Sequence, residues 1–340
     1  MISNSEFNQR LLQEIGKQMP RKSQQLNFLL DEMSLGKESA YRRLRGDVPF
    51  SFTEACVISE KLDLSLDNIV NSASKNKKPT FFLHVPPHKE TPDDYIYHYR
   101  QTYEIYETTL NRWLNDPTLS VYTASNIIPQ TLMLSYPYLS KFRAFAWRYQ
   151  MHHGTAPAKF SSISLPDDIV AKQKILVQKI KQLPESVYIV SKHIFSTIVK
   201  MIQYFFNLNL ITKEEVFTIR DELLQLLINV EQLTTYERTE QNGKILVYVA
   251  NIDFNSNDIY IQGKDFERSF IELHFINTIS TSDPQVCRIQ KEWIDSLKKY
   301  STLISMSGSF ERISFFEKQR MLINKLSDIS QQVASNFLSE

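Results

Sequence analysis

Only 7 of the chain's 340 residues are glycine, about 2% where ~7% is usual. Glycine builds the tight backbone loops that cradle phosphates, so its scarcity limits which nucleotide-binding folds are open to this chain. The glycines at 16, 36, 46, 154, 243, 263 and 308 lie too far apart for G-x-G-x-x-G or G-x-x-x-x-G-K-[ST]. A Rossmann or P-loop enzyme is therefore not expected, and a helix-dominated body is. At 42% hydrophobic residues, with 21 Phe and 16 Tyr, the chain has ample material for a core, and its length suggests two or three domains.

Net charge is +1, so bulk charge names no partner. Residues 1–78 hold 12 Lys/Arg against 10 Asp/Glu, and any nucleic-acid footprint must come from a local cluster. Two cysteines, Cys56 and Cys287, make neither a disulfide framework nor a zinc site and fit a reducing compartment. No run reaches ~18 uninterrupted apolar residues, and Met1 to Glu6 carries no charged-then-apolar signal pattern. The expectation is a soluble, cytoplasmic protein with no membrane contact.

The clearest seam is Asn71-Ser72-Ala73-Ser74-Lys75-Asn76-Lys77-Lys78-Pro79, which is polar, small, basic and closed by proline. It predicts a module over 1–72, a linker over 73–90 and a larger domain over 91–335. In the module, Phe7, Leu11, Leu12 and Ile15 recur at helical spacing up to Pro20, and Leu26, Leu29, Leu30 and Met33 make a second stripe. Glu38 to Arg45 forms a third helix, stopped by Gly46. Ser51-Phe52-Thr53-Glu54 is a capping-box start for a fourth, and 65–69 a short fifth.

In the larger domain, Thr91-Pro92-Asp93-Asp94 starts a helix carrying Tyr95, Tyr99, Tyr103, Tyr106, Leu110 and Trp113. Further helices are expected at 139–152, 166–182, 187–207 and 213–235, the last opened by the capping box Thr212 to Glu215. Strands are expected around Ile245 to Ile252, at 259–261 and at 270–275. The loop Asn255-Ser256-Asn257-Asp258 would join the first two as a hairpin. Helices from Pro284 to Tyr300 and from Ser309 to Leu326 close the chain. The expected fold is mainly α: a five-helix module followed by a helix-rich α+β domain with a small antiparallel sheet.

The segment from Leu29 to Gly46 places two short helices around a three- or four-residue turn, the helix-turn-helix layout. Ala40 and Leu44 can face the preceding helix, which leaves Lys37, Glu38, Tyr41, Arg42 and Arg45 outside. Glu38, Arg42 and Arg45 share one stripe at i, i+4 and i+7. Guanidinium groups bond guanine O6 and N7 or phosphate oxygens, and a carboxylate accepts from cytosine N4. The helix N-terminus offers free N–H groups to a phosphate.

On these residues, with Tyr41-Arg42-Arg43-Leu44-Arg45-Gly46 and the run from Phe52 through Lys61-Leu62-Asp63-Leu64 to Asp67, the chain resembles the lambda-repressor/Cro-like (XRE) family of bacterial and phage regulators over about residues 5–70. It departs from the family pattern at Ser34, usually glycine, and at Leu30, usually alanine. The resemblance implies a DNA-binding set of Lys37, Glu38, Ser39, Tyr41, Arg42, Arg43 and Arg45. Lys37, Glu38, Tyr41 and Arg42 would take base-facing positions, while Arg43 and Arg45 would touch backbone or support the fold. It also implies double-stranded DNA as partner, a homodimer, and a larger domain that dimerises or senses a small-molecule effector. That larger region is similar to uncharacterised Bacteroidetes regulators, from which no activity carries over. The alternative is a scaffold protein whose module binds another protein.

Competing sites are weaker. His84, His88, His152 and His153 lack an acid or cysteine partner at metal-ligand spacing, and no metal or cofactor is expected. The Tyr95–Trp113 stripe and the group Phe142, Phe145, Trp147 and Tyr149 read as core before ligand cage. Cys56 and Cys287 read as inert buried thiols. No serine lies in G-x-S-x-G, and the pairs Asp93-Asp94, Asp167-Asp168 and Glu214-Glu215 sit at helix starts. No catalysis is expected.

Overall fold

The structure is a computed structural model that describes residues 4–33, 35–62, 64–73, 79–84, 94–151, 159–239, 241–273, 278–306 and 308–329. Ser34, His88, His152, His153, the cap Thr91 to Asp93, and much of the expected linker lie outside them. Two compact units divide the chain, Met1–Thr80 and Phe81–Glu340.

The first unit holds the five expected helices: α1 (Asn4–Gln18), α2 (Lys22–Met33), α3 (Lys37–Arg45), α4 (Phe52–Leu62) and α5 (Leu66–Ala73). Their apolar stripes meet in one core of Leu11, Ile15, Leu26, Leu29, Ala40, Phe50, Ala55, Ile58 and Ile69. Leu30 is accommodated at the rim of that core. Asn8, itself buried, accepts the Phe50 N–H through Oδ1 at 3.0 Å, which ties the chain after α3 to the first helix. The capping box of α4 is complete: the Ser51 N–H donates to Glu54 Oε2 at 2.7 Å and the Glu54 N–H to Ser51 Oγ at 3.2 Å.

The second unit departs from the expected small antiparallel sheet. Among the described residues its sheet has eight strands and is mixed, so the chain is α+β and not the expected mainly α fold. In chain order the elements are β1 (Phe82–His84), α6 (Asp94–Trp113), β2 (Ser120–Ser125), α7 (Gln130–Met133), α8 (Pro137–Met151), α9 (Asp167–Lys181), β3 (Glu185–Ser191), α10 (Ser196–Asn207), α11 (Lys213–Tyr236), β4 (Lys244–Ala250), β5 (Asn257–Gln262), β6 (Glu267–Glu272), β7 (Thr278–Thr281), α12 (Pro284–Lys299), β8 (Ser301–Leu303) and α13 (Ser309–Asn324). Strand order is β1-β7-β6-β5-β2-β3-β4-β8. The strands β2, β3 and β4 run parallel, joined through helices, as parallel pairs require; every other pairing is antiparallel.

Two expectations fail for identifiable reasons. Residues 187–191 are the end of β3, not the start of a helix. Val187, Ile189 and Val190 are all buried, so the strand is covered on both faces and shows no alternation to separate it from a helical run. The segment 255–258 does not close a hairpin: β4 pairs β3 and β8, whereas β5 pairs β2 and β6. Asn257 and Asp258 belong to β5 itself. β1 also falls inside the stretch expected as linker and pairs β7.

Both sheet faces are covered. Tyr122, Ala124, Ile189, Tyr248, Ala250 and Tyr260 pack against Cys287, Ile294 and Leu297 of α12. Val190, Ile245 and Val247 pack on the other face into the main core, which includes Tyr99, Tyr103, Phe142, Leu223 and Phe316 from the helices. Glycine enforces a close approach at Gly243, where a Cβ would stand 2.1 Å from the Leu183 carbonyl oxygen. No helix among the described residues is long and apolar enough to cross a membrane.

Candidate nucleic-acid interface

The α2–α3 pair is assembled by a small contact residue and a precise stop. Ala40 is fully buried and Leu44 half-buried against the module core, so this side of α3 lies on the other helices. At the C-terminal end Gly46 takes φ +82°, a left-handed conformation that costs a residue with a Cβ about 1–2 kcal/mol. There the Gly46 N–H donates to the Arg43 carbonyl at 2.9 Å and the Asp47 N–H to the Arg42 carbonyl at 2.9 Å. This is the Schellman pattern, which satisfies two terminal carbonyls of the helix. Gly36, at the other end, has φ −66°, ψ 148° and no side chain over the helix start. The first N–H groups of α3 are thus left uncovered by a cap, with the positive end of the helix dipole outward.

The two neighbouring arginines have different roles. Arg43 turns back to α4: its Nη2 lies 2.8 Å from Glu54 Oε1 and its Nε donates to Glu54 Oε2 at 3.1 Å, with both side chains 16% exposed. The same carboxylate caps α4, so one residue joins α3 to the start of α4. Burial raises the Glu54 carboxyl, but the hydrogen bonds from Arg43 and the Ser51 N–H outweigh it and hold it below its ordinary 4.5. Arg43 therefore supports the fold, one of the two roles the sequence allowed it.

Arg42 points the other way and is exposed, as are Lys37, Glu38, Ser39 and Tyr41. Among the described residues neither Lys37 nor Arg42 has an ion-pair or side-chain hydrogen-bond partner. Arg45 is held on the surface, with Nε 3.0 Å from Asp47 and Nη2 3.8 Å from Glu38. The outer face of α3 is thus a Lys37/Tyr41 row beside a Glu38/Arg42/Arg45 row, with uncompensated charge at Lys37 and Arg42. With its side chains an α-helix is about 10–12 Å across, a width the ~12 Å major groove admits.

The remaining sequence candidates fall elsewhere. Tyr99, Tyr103, Phe142, Phe145 and Trp147 are buried in the core of the second unit. Cys287 is buried, with its thiol 3.7 Å from the Thr281 carbonyl, and Cys56 is half-buried. The Glu214-Glu215 pair lies in the first turn of α11, where Thr212 and Glu215 form a complete capping box. Sequence reading did not separate Glu54 as the partner of Arg43. The signal was present, because the capping-box glutamate that opens α4 follows α3 by a short loop. No protein-family model matches the chain, and no curated protein matches it significantly.

Proposed function

We propose that the chain is a sequence-specific DNA-binding transcriptional regulator that inserts α3 into the major groove. The observation that carries this reading is the division of labour on α3: Arg43 is spent on the fold, while Lys37, Tyr41 and Arg42 stand on one exposed face. In this reading Arg42 reads a guanine edge or holds a phosphate, Glu38 accepts from a cytosine amino group, and Tyr41 and Ser39 line the groove. Lys37 reaches a base edge, and the uncapped start of α3 meets a backbone phosphate. Arg45 touches the backbone near the end of the helix.

A nine-residue helix reaches few base pairs, so the functional species is a homodimer on an inverted repeat, with half-sites about 34 Å apart or a multiple of that. The second unit supplies dimerisation, effector sensing or both, without catalysis, and the protein works in the cytoplasm.

In vitro site selection on the full chain tests the reading, followed by binding measurements across a salt series. A palindromic selected site, with affinity falling steeply as salt rises, is the expected result. Enrichment of no sequence, together with no binding to random DNA at low salt, would refute it and favour a protein partner for the same face.

A further inference from the structure

The second unit contains a cavity of about 290 Å³ beyond the carboxyl ends of the parallel strands β2 and β3. Ile127 and Ile128 follow β2 into its wall, and Ile194, Thr197 and Ile198 follow β3. This end of a parallel sheet is where open α/β folds bind their ligands, because the strands stop there and the helices diverge. Its size lies at the lower end of small-molecule pockets.

The walls are mostly apolar: Met133, Phe142, Ala146 and Met201 join the isoleucines. Two charged groups of opposite sign, Arg143 and Glu272, are set into them. Arg143 of α8 is 7% exposed, lines the cavity, and has Nη2 3.1 Å from Oε1 of Glu272, the last residue of β6. Glu272 and Asn257 line the same space. A desolvated ion pair is a poor source of stability, since packed apolar residues of similar volume commonly do as well. This pair also borders a cavity, where a third group can reach it. An arginine in such a setting matches a carboxylate through its planar fork of donors.

We infer that this cavity is the binding site of a small monocarboxylate with an apolar body of about one ring, whose carboxylate engages Arg143 in competition with Glu272. Glu272 is the internal occupant of the anion seat. A ligand that takes its place frees the end of β6, a link from cavity to sheet. The apolar walls take the body of the ligand, with Met133 and Met201 adaptable to its shape. This inference rests on the geometry of the second unit alone and stands or falls independently of DNA binding.

The test uses the full chain without DNA. All three tryptophans, Trp113, Trp147 and Trp293, lie in the second unit, so the thermal transition in tryptophan fluorescence follows that unit. Benzoate and phenylacetate are the probes, and benzamide and phenylacetamide the neutral counterparts. The carboxylates are expected to raise the transition and the amides to bind at least about tenfold more weakly. Glu272→Gln removes the competing carboxylate and should tighten carboxylate binding at least about tenfold. Arg143→Gln combined with Glu272→Gln keeps the seat neutral and should lose binding, and Ala146→Met should fill the space and block it with the fold retained. Failure of both carboxylates to bind wild type and Glu272→Gln overturns the inference, as do amides that bind equally well or an Ala146→Met variant that binds as wild type does.

Discussion

Replacing either of two adjacent arginines by alanine should produce opposite defects. Arg43→Ala breaks two contacts, at 2.8 and 3.1 Å, to a carboxylate whose side chain is 16% exposed. Glu54 keeps the Ser51 N–H at 2.7 Å, so it is not wholly stranded and the cost stays below that of a fully buried broken pair. Hydrogen bonds to charged groups contribute about 1.5–3 kcal/mol, which places the loss near 2 kcal/mol. For a domain of 60–100 residues each kcal/mol moves the melting temperature by about 4–8 °C, so the module should melt roughly 8–16 °C lower. Arg42→Ala removes an exposed side chain with no partner among the described residues and should stay within about 0.5 kcal/mol of wild type. On the selected DNA the order reverses: Arg42→Ala should lose about 1–3 kcal/mol at one base position if it reads a guanine. Arg43→Ala, measured well below its melting point, should keep its sequence preference. Far-UV circular dichroism follows both units and tryptophan fluorescence only the second, so their difference isolates the module. Equal melting temperatures for the two variants, or equal loss of preference, would refute this assignment of roles.

Three further expectations follow from named contacts. The folded value of Glu54 lies below its unfolded value near 4.5, so its stabilisation is fully present above that pH and fades as pH falls through the folded value; urea midpoints of the module should decline with acid in wild type, and less so in Glu54→Gln. Cys287 is buried, and desolvation raises its thiol; a water-soluble disulfide reagent should therefore modify the half-buried Cys56 first and reach Cys287 only on unfolding, and equal native rates would contradict the burial. Gly243→Ala would set a Cβ 2.1 Å from the Leu183 carbonyl, forcing apart the chains that enter β3 and β4; a loss of about 1–3 kcal/mol should appear in the tryptophan transition and leave the module unchanged.

The chain sequence determined the module almost completely. Its five helices are local objects: apolar stripes at helical spacing, the Ser51–Glu54 box and the stop at Gly46 are each legible within a few residues. The exposed set on α3 followed from the same periodicity once Ala40 and Leu44 were placed inward. The long helices of the second unit, such as α11 with its Thr212 cap, were legible for the same reason.

The sheet was decided only by tertiary structure. β1 and β8 have three residues each and β7 four, too few to show a period. β3 is buried on both faces, so its apolar run merges with the one that opens α10. Strand pairing is non-local: nothing near Asn257 states that β5 lies against β2, which ends 132 residues earlier in chain register at Ser125. Scarce glycine carried no information on parallel strands, whose crossovers need helices and caps and not glycine. Likewise, Arg143 and Glu272 are unremarkable 129 residues apart, and the cavity they border exists only because the ends of β2, β3 and β6 converge there.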